Sequence, residues 1–155
     1  MPKYLTQEEV YTKCKREGKI IFLENCDKEK IKCTLSIAEA DVDSANLIKK
    51  NISKQSKQWS SVYKLYYDAI HELAESFLIF EKAKIDNHQC LFAYLCEKYP
   101  ELELNWDFFE KVRTKRNGIN YYGTAVTMDD WKEVELQFTL YIEKLKENIS
   151  LQLKD

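Results

Sequence analysis

The beat of the apolar residues constrains this chain more than any other feature. Ile31, Leu35, Ala38, Val42, Ala45, Ile48 and Ile52 fall at steps of three and four, which puts them on one face of an α-helix. Trp59, Val62, Tyr66, Ile70, Leu73, Phe77 and Phe80 repeat the rhythm. Both stripes must be buried, and the polar segment NISKQSKQ between them predicts a turn joining antiparallel neighbours. A third helix fits residues 87–98 and stops near Pro100, whose ring cannot continue it. Asn105 is placed to cap a fourth, running through Phe108, Phe109 and Val112 towards Gly118. Thr127 and Asp130 form a capping box ahead of Trp131, Val134, Phe138, Tyr141, Leu145 and Ile149. A short helix opens the chain, started by Thr6 and Glu9 and ended by Gly18. Residues 19–27, KIIFLENCD, have no evident strand partner and are read as a connecting loop.

Three glycines and two prolines are too few for a turn-rich β architecture. The expectation is therefore all-α: an up-and-down helical bundle of about five or six helices. Residues 1–27 form an N-terminal helix and connecting loop, and residues 28–155 form the bundle. A net charge of −2 does not call for nucleic acid in bulk, so any such role needs a local patch. Cys14, Cys26, Cys33, Cys90 and Cys96 are odd in number and contain no CxxC pair. That spacing suggests neither a disulfide framework nor a zinc knuckle, but small buried thiols in a reducing cytoplasm. The apolar run Ile20 to Leu23 is far short of the roughly 18 residues a membrane span needs. A cytoplasmic protein with no membrane partner is expected.

Three stretches are candidates for chemistry. Asp68 and His71 have the spacing of half a di-iron motif, but His88 has no acidic residue three positions before it. No metal and no cofactor are expected; His71 reads as a helix-flank residue and His88 as a helix-start residue. Lys49, Lys50, Lys54, Lys57 and Lys64 form a basic stretch interleaved at its end with Trp59, Tyr63, Tyr66 and Tyr67. Such a mixture suits a phosphate backbone with stacked bases, or equally a solvated turn beside core aromatics, which is the preferred reading. The third stretch is RTKRNGINYYG, residues 113–123. It holds two of the three arginines and two of the three glycines. Arg116 continues the stripe of Phe109, Val112 and Ile119, where a guanidinium needs a partner or a cleft. Lys111, Arg113 and Lys115 surround it, Asn120 lies one turn beyond it, and Tyr121 lies one turn beyond Asn117. Gly118 and Gly123 are read as letting the backbone turn or another chain approach. An ordinary helix C-terminus, rich in basic residues and glycine, explains the same spacing equally well.

RNGINYYG resembles the signature of the HEPN superfamily, an arginine and a polar residue followed by histidine four to six positions after the arginine. VYKLYYDAIHELAESFLIFEKAKIDNHQCLFAYL is similar to that family's helix-loop-helix, and the resemblance covers roughly residues 28–150. It implies a bundle that dimerises so that two motifs face one cleft. Many members are metal-independent endoribonucleases; others bind nucleotides or are partnered with a nucleotidyltransferase. Carried over, Arg116 and Asn117 match the arginine and the polar position, while Tyr121 stands in the place of the histidine. Free tyrosine has a pKa of about 10 and is a poorer acid–base group than imidazole near pH 7. Some toxin members carry a modified tyrosine two places after the histidine, and here that place is Gly123. The implied function is a HEPN-type homodimer binding RNA or a nucleotide, with weak or absent ribonuclease activity. Arg116, Asn117 and Tyr121 would form its catalytic remnant, and Arg113, Lys115, Arg116 and Asn120 its binding residues. The alternative is a non-catalytic interaction subunit of a two-gene system, partnered with an antitoxin protein or a nucleotidyltransferase.

Overall fold

The computed structural model describes residues 5–155, so the first four residues of the segment 1–27 lie outside it. All its α-helices but the one opening at Trp59 begin where the sequence supplies a side-chain cap. In α1 (Gln7–Arg16), Thr6 accepts from the Glu9 amide at 3.2 Å and Glu9 accepts from the Thr6 amide at 3.0 Å. A two-residue strand, β1 (Ile21–Phe22), follows. Asp27 caps α2 (Lys28–Asn51), and α3 (Trp59–Phe80) comes after the polar turn. The strand β2 (Ala83–Lys84) then leads into α4 (His88–Lys98), which Asn87 caps by accepting from the Cys90 amide at 2.9 Å. A short 3-10 turn, Pro100–Leu102, precedes α5 (Trp106–Tyr122), capped by Asn105. The capping box of Thr127 and Asp130 opens α6 (Met128–Leu153). Among the described residues this is an all-α bundle of six α-helices, with a single pair of very short strands.

The most apolar helix, α3, sits at the centre and packs against α2, α4, α5 and α6. Its Val62, Tyr67, Ala69, Ile70, Leu73 and Ala74 are fully buried, and each large side chain so placed contributes about 1.5–3 kcal/mol by leaving water. Trp59, Tyr63, Tyr66 and Tyr67 belong to this core, Tyr63 meeting Trp131 and Phe138 of α6 edge-on and Tyr66 meeting them at a tilt. The lysine-and-aromatic stretch is therefore a turn beside core aromatics. Lys49 within it pairs with Glu135 at 2.7 Å.

Three expectations are corrected. Residues 19–27 are not simply a loop: Ile21 and Phe22 pair antiparallel with Lys84 and Ala83, and the Leu23 amide donates to the Lys82 carbonyl at 2.7 Å. The partner is itself only two residues long and followed no strand-like pattern. The cysteines are not all free thiols, because Cys14 and Cys90 are disulfide-bonded and tie α1 to α4. Gly118 does not turn the backbone. The helix runs past it to Tyr122, and a Cβ there would meet nothing closer than Thr124 Oγ1 at 3.5 Å. The turn comes at Gly123, whose φ of 63° is the left-handed conformation that favours glycine.

Candidate functional site

The α5 face carrying Arg113, Arg116, Asn117 and Tyr121 forms one wall of an open cleft of about 390 Å³. Residues 86–89, at the start of α4, form the other wall. Two local features fix their relation. Asn87 starts α4 so that His88 is its first residue, and the Val126 amide donates to Ser60 Oγ at 3.0 Å, anchoring the chain beyond α5 to α3.

The two arginines of the cleft are in different states. Arg113 donates through Nε and Nη2 to the two oxygens of Glu110 at 3.0 and 3.1 Å. Glu110 is only 2% exposed and also accepts from Gln89 Nε2 at 3.1 Å. Arg113 thus neutralises a buried carboxylate, and its charge is committed to the fold. Arg116 lies with its guanidinium carbon 5.4 Å from the centre of the Tyr67 ring. Its Nη2 is 3.9 Å from Asp68 Oδ1, an ion pair too long for a hydrogen bond. Its Nε is shut away from solvent without a hydrogen-bond partner. Among the described residues, Arg116 donates no hydrogen bond at all.

Beneath Arg116 lies a layer of neutral aromatic groups. The Tyr67 hydroxyl is 3.0 Å from His88 Nδ1, and the His88 ring lies 3.7 Å from that of His71. Burial pushes the Tyr67 phenol well up, and Arg116 and Arg113 only partly oppose it. His71 is held down to about 3 by burial, with His88 and Arg116 adding to the effect. His88 is lowered by burial and by the same two arginines. His71 Nε2 comes within 3.2 Å of Glu75 Oε1 but lacks hydrogen-bond geometry. Asp68, on the far side of Arg116, is raised by burial while Arg116 works against that rise. Asp68 faces the guanidinium, and the His71 ring lies tilted by 31° against that of His88.

Of the residues singled out in the sequence, Arg113, Arg116, Asn117 and Tyr121 meet in this cleft. Lys115 does not. It turns to Asp130 at 3.3 Å and, with Lys111 and Glu133, borders a separate depression on the opposite side of α5. Asn120 is exposed and borders neither. Helical geometry turns Lys115 about 100° away from Arg116, whereas Asn120 shares the Arg116 side of α5 but lies outside the cleft lining. His88, a candidate in the metal reading, joins them, while Tyr67 and Asp68 stay outside the lining and contact His88 and Arg116 from α3. The signals for them were a histidine immediately after a capping asparagine, and a tyrosine–aspartate step on the most apolar helix.

Comparison of the chain with protein-family models, curated proteins and solved structures returns no match. The chemistry of the cleft therefore rests on its own geometry. It is a donor-rich recess in which Arg113, Arg116 and Asp86 meet above neutral rings, with Tyr121 standing 72% exposed at its rim.

Proposed function

We propose that this chain is a HEPN-type homodimer that binds RNA or a nucleotide by its phosphate at the Arg116 cleft, with weak or absent metal-independent ribonuclease activity. The observation that carries the reading is the state of Arg116. A guanidinium that makes no hydrogen bond to the protein and lines a cleft has its terminal Nη groups poised for acceptors from outside. Asn117 adds an amide beside it, and the exposed Tyr121 ring offers a face on which a base can stack. Tyrosine in the motif's histidine position accounts for weak or absent cleavage, because a phenol is a poor base near pH 7. No helix among the described residues is long and apolar enough to cross a membrane.

The test is binding of purified protein to total RNA in EDTA, with light scattering to count subunits. The wild-type protein is expected to be a dimer whose affinity falls with added salt. Arg116→Ala should weaken binding roughly tenfold to a hundredfold, the loss of a charge-assisted hydrogen bond. Unchanged affinity in that variant, or a monomer at tens of micromolar concentration, would sink the model. A second reading, the interaction subunit of a two-gene system, draws on Leu47 and Leu136, exposed beside the Lys49–Glu135 pair. Capture of an antitoxin or nucleotidyltransferase partner that is lost in Leu136→Glu would favour it.

A further inference from the structure

We propose that Tyr67 fixes His88 as the neutral Nε2–H tautomer, and that this N–H donates to the phosphate held by Arg116. The proposal rests on the reading of the cleft as a phosphate site and adds a second wall to it.

The proton count decides the tautomer. Tyr67 is fully buried, and its hydroxyl has one hydrogen-bond partner among the described residues, His88 Nδ1. A phenol carries a single proton. Were Nδ1 protonated, it would donate to the phenol oxygen, and the Tyr67 O–H would point into a sealed core without an acceptor. Tyr67 therefore donates, Nδ1 accepts, and the ring's remaining proton sits on Nε2. That nitrogen has no partner among the described residues, and His88 lines the cleft opposite Arg116 and Asn117. The titratable or charged groups around the ring are Tyr67 and His71 on α3, Arg113 and Arg116 on α5, and Asp86, which lines the cleft ahead of α4 and lies 3.9 Å from Lys84 Nζ.

Two consequences follow for the ligand. An imidazole whose exposed nitrogen is already protonated can hold a phosphate oxygen but cannot take the proton of a 2′-hydroxyl, so the cleft retains RNA without cutting it. The charge of the site is also small. Glu110 neutralises Arg113, and Asp68 stands near Arg116. A neutral donor adds a bond without adding charge, which matches the single charge of an internal phosphodiester better than a terminal triphosphate.

The first measurement is the ¹⁵N spectrum of the His88 ring in the free protein between pH 6 and 8, which needs no ligand. A pyridine-type Nδ1 and a pyrrole-type Nε2 are expected in the wild type, with averaging of the two in Tyr67→Phe. An unprotonated Nε2, or a doubly protonated ring at pH 7, overturns the assignment. The second is titration with hexauridylate lacking terminal phosphates, alongside uridine triphosphate. His88→Ala should weaken the oligonucleotide about tenfold, and His88→Gln, which keeps an N–H donor, should recover part of that loss. If Arg116→Ala loses binding while His88→Ala does not, the cleft stands and the His88 contact is overturned. If the wild type binds neither the oligonucleotide nor the triphosphate, the functional reading fails and the contact fails with it, while the spectrum still decides the tautomer. Tighter binding of the triphosphate overturns the phosphodiester preference.

Discussion

At the scale of single residues, Arg113 and Arg116 are three positions apart and do opposite work. Arg113 is spent internally on Glu110, whose carboxylate is sealed from solvent. Removing Arg113 leaves a buried charge with only Gln89 to answer it, so Arg113→Ala should destabilise the protein by about 3–5 kcal/mol. Arg116 faces Asp68 across 3.9 Å, and Asp68 is itself partly exposed, so this ion pair contributes little. Arg116→Ala should therefore shift stability by less than about 1 kcal/mol. Urea unfolding of both variants separates the two roles. Equal losses of stability would mean that Arg116 too is a structural residue.

At the scale of elements, α3 is the least ordinary helix. It supplies the core, yet along one flank it carries Asp68, His71, Glu72, Glu75 and Ser76. Of these, His71 Nε2, Glu72 Oε2 and Ser76 Oγ are buried without a hydrogen bond. Burial pushes Glu72 up to about 8, and the nearby carboxylates, Asp41 first, add to the rise. A group whose folded pKa is raised binds its proton more tightly in the native state. The stability it contributes is complete below its unfolded pKa and is lost as pH rises towards 8. His71 works the other way: with its folded pKa lowered to about 3, its contribution is present above pH 6.5 and fades as pH falls. Between pH 6.5 and 8 the Glu72 effect stands alone of the two. The melting temperature should fall across that window, and Glu72→Gln should flatten the fall. A variant with the wild-type slope would assign the proton uptake elsewhere.

At the scale of the whole molecule, the opening helix is held to the bundle by few but specific ties. Trp106 Nε1 donates to the Leu5 carbonyl at 2.9 Å, Gln7 Nε2 donates to Glu97 at 2.8 Å, and Cys14 is bonded to Cys90. The disulfide closes a loop with a sequence separation of 76, and a link of that kind typically stabilises by about 2–4 kcal/mol. Reduction, or Cys14→Ser, should lower the melting temperature by roughly 5–15 °C for a chain of this size. Melting with and without dithiothreitol checks this, and Cys14→Ser should be insensitive to the reductant. Cys90 lies two residues beyond His88 in α4, so the same bond also steadies one wall of the cleft.

The helices, their caps and the all-α architecture were legible in the sequence, because period and capping are local properties. Stripes at steps of three and four have to be buried, and Asn87, Asn105 and Thr127 satisfy helix-end amides within three residues of themselves. The sequence also placed Tyr121 one turn beyond Asn117 and Arg116 on the Phe109, Val112 and Ile119 stripe, since 3.6 residues per turn is enough to do so. It could not place what lies across from them. That β1 meets β2, that Cys14 meets Cys90, and that His88 enters the Arg116 cleft while Lys115 and Asn120 do not, all depend on how separate helices pack. The division of labour between the arginines is of the same kind. Arg113 and Arg116 carry the same charge on the same helix, and only the depth of Glu110 and the distance to Asp68 decide which one remains available to a ligand.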